Sequence, residues 1–134
     1  MKKITNIFSW IILALVIVYL AYQKGYILKN FEHISVKDAF VTMSTDANIT
    51  LIDVRTSAEI QSDGKIKNSI LTPLQLLEQN IDKLEKYKNT KIFIYCRSGN
   101  RSITASRILS DAGFKTYNIQ GGINKWKKEK LPHL

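Results

Sequence analysis

The chain carries one cysteine, set among residues that would make its sulfur reactive: Cys96-Arg97-Ser98-Gly99-Asn100-Arg101-Ser102. Before it runs Lys91-Ile92-Phe93-Ile94-Tyr95, an apolar segment of strand length. After it, Ala105, Ile108, Leu109 and Ala112 recur at the spacing of one helix face. Strand, tight loop and helix put Cys96 on the floor of a loop that feeds a helix N-terminus, where unpaired N–H groups collect and the helix dipole is positive. Gly99 lets the loop curl its amides inward as an anion nest, and Arg97 and Arg101 add two cations. Such surroundings favour the thiolate, which is the nucleophile. An inert buried thiol is the commoner fate of a lone cysteine; two arginines, two serines and a glycine in the next six positions argue against it here.

A ring of N–H groups with two guanidiniums suits a compact oxyanion, and a thiolate beneath it could attack sulfur, phosphorus or arsenic. Taking a sulfane sulfur from thiosulfate needs a thiolate alone, because sulfite leaves as a stable anion without a general acid. Phosphate monoester hydrolysis asks for a proton donor and a wider cradle. Four residues separate Cys96 from Arg101, one fewer than in the cysteine phosphatase pattern, so a phosphatase or arsenate reductase is the weaker alternative.

Composition narrows the field further. A single cysteine excludes an internal disulfide and any cysteine-rich metal site. His33 and His133 lie far apart in sequence, so no metal and no cofactor is expected. The formal charge is +9, but Lys2, Lys3, Lys24 and Lys29 flank the N-terminal apolar run, leaving 16 basic residues against 11 acidic ones beyond it. No Lys/Arg block interleaves with aromatics, and no nucleic-acid partner is expected.

The elements that must position Cys96 follow from the apolar pattern. Residues 4–22 hold no charged residue and approach bilayer thickness as a helix, with Trp10 near one end and Tyr19, Tyr22 and Tyr26 near the other. A cleaved signal would place bulky Tyr19 where a small residue is wanted, so a retained single-pass anchor in the cell membrane, with the lipid bilayer as partner, is expected. The flanking lysines are close to balanced; Lys2 and Lys3, adjacent to the span, tip the orientation toward an extracytoplasmic domain. Residues 1–29 are thus anchor and tether, and 30–134 a domain. Ser35 and Asp38 open a small helix, Ile49–Val54 is a short buried strand, and Thr56 with Glu59 caps another helix. Ser69–Leu71 is a strand candidate, Thr72-Pro73 starts a helix, and helical stretches are predicted near Leu74–Gln79 and Ile81–Tyr87. Gly113 ends the helix after Cys96, Thr116–Ile119 is a last strand, and Gly121-Gly122 leads into a helix with Trp126. Strands alternating with helices predict an α/β sandwich with a mainly parallel sheet, and ligands of such folds gather where strands end.

Taken in order, Leu51-Ile52-Asp53-Val54-Arg55 with Glu59, Gly64-x-Ile66 followed by Pro73, Cys96 to Ser102, Ala112-Gly113-Phe114, and Gly121-Gly122 with Trp126 resemble a single-domain rhodanese, a thiosulfate sulfurtransferase-like module, from about Ile34 to Leu131. The resemblance implies a rhodanese-like three-layer α/β/α fold, here preceded by one transmembrane helix. It implies a Cys96 persulfide, with Arg97, Ser98, Gly99, Asn100, Arg101 and Ser102 as the substrate-binding loop. Thiosulfate or a persulfide would donate, and a thiol, a protein or another nucleophile would accept; a carrier with little free turnover shares the same loop. Lys65 departs from the family's Gly-His-Ile element at a position read as structural. Asp53, Arg55 and Glu59 are read as ion pairs that pin loops, Trp126 as a core anchor, and Arg107 as lying on a solvated face.

Overall fold

The computed structural model describes residues 2–134, with side chains from Asn6 onward; Met1 and the side chains of Lys2, Lys3, Ile4 and Thr5, including the N-terminal charges weighed for orientation, lie outside the described residues. In chain order the elements are α1 (Lys2–Gln23), β1 (Glu32–Ile34), α2 (Val36–Thr45), β2 (Ile49–Asp53), α3 (Ser57–Asp63), β3 (Ile70–Leu71), α4 (Ile81–Leu84), β4 (Lys91–Tyr95), α5 (Asn100–Asp111), β5 (Lys115–Ile119) and α6 (Gly122–Lys128). The five strands form one parallel sheet in the order β1-β5-β4-β2-β3.

The near-continuous apolar runs of β2 and β4 are what a sheet covered on both faces requires. Ile52, Ile92 and Ile94 point to the face covered by α4 and α5, where Leu84, Ala105 and Leu109 meet them. Leu51, Phe93 and Tyr95 point the other way, against Val36 and Ala39 of α2 and Ile123 and Trp126 of α6. The result is the three-layer α/β/α sandwich, with β4 in its middle and Cys96 one residue past the end of β4.

Local signals act where expected. Ser35 Oγ accepts the Asp38 N–H at 3.1 Å, Thr56 and Glu59 form a reciprocal capping box on α3, and Gly113 (φ +90°) follows the end of α5. Two stretches differ. Residues 32–34, to which the sequence pattern gives no element before the helix opened by Ser35, are an edge strand paired with Tyr117–Ile119. The expected helices over Leu74–Gln79 and Ile81–Tyr87 are instead 3-10 turns at Leu74–Leu76, Glu78–Asn80 and Glu85–Tyr87 around the four-residue α4. Asn80 explains the break. Its side-chain Nδ2 donates to Leu76 O at 2.8 Å, occupying the carbonyl that the Asn80 N–H would use in a continuing α-helix, and that N–H turns to Leu77 O.

At 22 residues α1 is about 33 Å long, enough for a hydrocarbon core of about 30 Å. Its segment Asn6–Gln23 has a mean hydropathy of 1.8 and buries none of its residues against the domain.

Candidate active site

The tight strand-to-helix connection makes the site. Cys96 is 1% exposed. The chain turns at Gly99 (φ +99°), the N-cap of α5, so that the Gly99 N–H donates to Cys96 Sγ at 3.1 Å. No side chain caps α5, so its first-turn amides lack a capping partner. The floor is clamped from the far side: Ile123 N–H donates to Cys96 O at 2.9 Å, and Asn124 N–H to Arg97 O at 3.1 Å.

That clamp depends on a glycine. Gly122 has φ +58°, and a Cβ on it would lie 2.3 Å from Cys96 O and 2.6 Å from Arg97 O, both rigid backbone. Gly122→Ala is expected to cost roughly 2–4 kcal/mol, from left-handed strain plus the forced retreat of α6. Urea unfolding of the detergent-solubilised chain measures it; a loss under 1 kcal/mol, on the order of an ordinary surface change, would show that the loop can yield without harm.

Behind the sulfur runs a polar chain. Ser102 Oγ lies 3.5 Å from Cys96 Sγ and donates to Asn118 Oδ1 at 2.5 Å. Asn118 Nδ2 is 3.2 Å from His33 Nδ1, and His33 Nε2 is 3.1 Å from Gly25 O. A carbonyl can only accept, so Nε2 carries the ring proton and Nδ1 accepts from the Asn118 amide. Asn118 is then left with its oxygen for Ser102, which fixes the direction of each bond from Gly25 to Ser102. Ser102 and Asn118 are buried, and the chain satisfies polar groups that would otherwise be costly there. His33, set aside in the sequence as a metal ligand, holds its outer end.

The arginines are arranged differently from two free cations. Arg101 is locked to Glu59 by a fork of hydrogen bonds, Nη1–Oε2 at 2.8 Å and Nη2–Oε1 at 2.6 Å. Arg97, half-exposed, stands with Nε 3.9 Å from the same carboxylate. Glu59 was a plausible loop-pinning residue in the sequence, but its partner Arg101 was not visible there, being 42 positions away. The Arg101 hydrogen bonds, opposed by burial and helped by the Thr56 N–H, hold the Glu59 carboxyl at about 2, below its ordinary 4.5. A carboxyl depressed in the folded state stabilises fully above about pH 4.5, and that contribution is lost as pH falls toward about 2. Stability is therefore expected to drop by about 2 kcal/mol between roughly pH 5 and pH 3 from this group, and Glu59→Gln to flatten that part of the profile. Parallel urea midpoints for the two proteins check it; identical slopes would remove Glu59 from the acid response.

Asp53 and Arg55 form the buried ion pair expected of them. Arg55 Nε lies 3.0 and 3.1 Å from the two Asp53 oxygens, with Nη2 2.7 Å from Oδ2 and 2.8 Å from Gly64 O. Burial works against the guanidinium charge, and the hydrogen bonds and charge of Asp53 outweigh it, so Arg55 titrates above its ordinary range. Arg107, expected on a solvated face, instead stacks 4.0 Å from the Tyr22 ring centroid and donates to Leu28 O at 3.0 Å and to Tyr22 O.

Two clefts flank the loop. One of about 180 Å³ lies among Tyr26, His33, Ser98, Gly99 and Asn118; the other, about 300 Å³, among Gln23, Leu74, Asn100 and Arg101. A larger hollow of about 390 Å³, beside Phe40, Met43 and Trp126, belongs to the opposite face of the sheet, away from Cys96. Among the described residues no group of three or more His, Cys, Asp or Glu side chains could hold a metal.

The chain is 35% identical over 86 residues to a sulfurtransferase of Allochromatium vinosum, 63% of this chain and 78% of that protein. It is 30% identical to the polysulfide-sulfur transferase homodimer of Wolinella succinogenes, whose solution structure superposes with a TM-score of 0.73 over 87% of this chain and 88% of that one. It is also 32% identical over 99 residues to a tRNA uridine(34) hydroxylase of Hamiltonella defensa, covering 67% of this chain but 28% of that protein. Residues 36–129 match the family model of the rhodanese-like domain, and to that family the chain belongs.

Proposed function

We propose that the protein is a membrane-anchored sulfurtransferase working through a Cys96 persulfide. The Cys96 sulfur attacks the sulfane sulfur of thiosulfate: the new S–S bond forms as the old one breaks, and sulfite leaves with the electron pair. A thiol or other nucleophile then attacks the outer sulfur, and Cys96 departs as thiolate. The observation that carries this reading is the Gly99 N–H aimed at Cys96 Sγ from 3.1 Å, at the uncapped start of α5. In this reading the amides of residues 97 to 102 receive first the oxyanion and then the persulfide anion. The named sulfurtransferases among the relatives support the same chemistry.

Phosphoryl transfer fits the loop less well. It needs a guanidinium free to hold equatorial oxygens, and Arg101 is committed to Glu59. The exposed apolar surface and length of α1 support reading it as a single-pass anchor, with the domain beside a bilayer.

The test is intact mass after incubation with thiosulfate. A gain of one sulfur atom, removed by cyanide with release of thiocyanate, is the expected result. A loaded protein with negligible thiocyanate turnover would move the assignment to a sulfur carrier, and absence of loading would end it.

A further inference from the structure

An anionic donor must reach a sulfur that is almost wholly covered, and the loop's own cations are poorly placed to draw it in. Arg101 is neutralised by Glu59, and Arg97 shares that carboxylate. A further cation meets the end of the loop from outside the family domain. Lys24, one residue past the end of α1, places Nζ 2.9 Å from Asn100 Oδ1, on the first residue of α5. The Asn100 amide is neutral, and among the described residues no carboxylate lies within ion-pair distance of Lys24. Its charge is therefore uncancelled, and it borders both clefts beside the loop.

The segment bearing Lys24 is fastened in place. Its amide bonds back to Leu20 O at 3.0 Å, and the next residue turns with φ +73°. Gly25 O accepts from His33 at 3.1 Å, the outer end of the polar chain that reaches Ser102 and Cys96. A Cβ on Gly25 would lie 2.8 Å from the Phe31 ring, so the turn sits hard against the domain. Arg107 of α5 grips Tyr22 and Leu28 on either side of it. A lysine held this way reaches the first residue of α5 and borders the two clefts beside the loop.

We propose that Lys24 is a donor-binding residue: its ammonium receives the sulfonate end of thiosulfate, and the departing sulfite, at the entrance to the Cys96 loop. This rests on the sulfur-transfer reading and adds to it a binding group supplied by the anchor's junction. The bond-making atoms are unchanged; Lys24 contributes attraction for a divalent anion before and after the transfer. Binding of that kind lowers KM and leaves kcat nearly alone.

The experiment uses the full chain in neutral-detergent micelles, which removes lipid headgroups as competing partners for the lysine. Lys24→Gln is expected to raise KM for thiosulfate about five- to tenfold with kcat within about twofold, and Lys24→Arg to restore KM. Turnover of an uncharged organic trisulfide should be the same in all three. An unchanged KM, or equal losses on the charged and uncharged donors, overturns the proposal. A second measurement does not depend on sulfur transfer: the rate of Cys96 alkylation by anionic iodoacetate relative to neutral iodoacetamide. Lys24→Gln should lower that ratio about fivefold, and an unchanged ratio overturns the Lys24 assignment even if thiosulfate proves not to be a donor. Failure of wild type to accept sulfur, with the ratio lowered as expected, defeats the sulfur-transfer reading while leaving Lys24 as the entrance cation.

Discussion

Cys96→Ser is expected to reduce thiocyanate formation from thiosulfate and cyanide by at least about three orders of magnitude, to the uncatalysed level. The reason lies in what the covalent step asks of the atom. Sulfur attacks sulfur readily and leaves again as a stable thiolate; an oxygen in its place is a poorer nucleophile toward sulfane sulfur and a far worse leaving group. The fold should hardly notice. Serine is slightly smaller, sits at the same end of β4, and still offers an acceptor to the Gly99 N–H now 3.1 Å from Sγ. A stability change within about 1 kcal/mol is expected. Steady-state rates and urea midpoints on the same preparations check both halves. Retained turnover in the serine protein would take Cys96 out of the mechanism, and a collapsed midpoint would make its lost activity uninformative, in which case Cys96→Ala tests the same point without a hydroxyl in the buried site.

Local chemistry wrote much of this site openly. The strand before Cys96, the helix period after it, and the Ser35, Thr56 and Gly113 signals depend on neighbours within a few residues, and each is found where those neighbours put it. What could not be read were partners brought in by the sheet. β5 lies beside β4 and β1 beside β5, so Asn118 comes behind Ser102 and His33 behind Asn118, from positions 16 and 85 residues away. Asn118, a polar residue in the short strand Thr116–Ile119, was the available clue, since a buried amide must find partners. Arg101 was legible as a cation but not as half of a pair, because Glu59 reaches it only when α3 and the loop meet at the same end of the sheet. The edge strand Glu32–Ile34 was missed for a related reason: three residues carry no period, and only pairing with β5 makes them a strand.

Removing either member of the Asp53–Arg55 pair is expected to lower stability by about 3–5 kcal/mol, a large share of what a domain of this size possesses. Both side chains are fully buried. With Asp53→Asn the guanidinium keeps Gly64 O at 2.8 Å and a long 3.5 Å contact to Asp63, which do not replace a forked carboxylate. With Arg55→Met the carboxylate is stranded, retaining the Arg55 position's own N–H at 3.0 Å as its partner within that turn. The double variant should recover a substantial part of the loss, since two neutral side chains no longer leave an unpaired buried charge. Function should follow stability in the single variants. The pair sits where β2 ends, and the Asp53 carbonyl and the next receive Thr72 N–H at 2.8 Å and Leu74 N–H at 3.1 Å, while Val54 N–H reaches Tyr95 O at 3.1 Å, one residue before Cys96. Loosening that corner should blunt sulfur loading even where the fold survives. If urea midpoints show the single changes costing no more than the double, the pair is not what holds the corner, and the stacking of Arg55 on the Tyr95 ring, 5.5 Å away, becomes the better account.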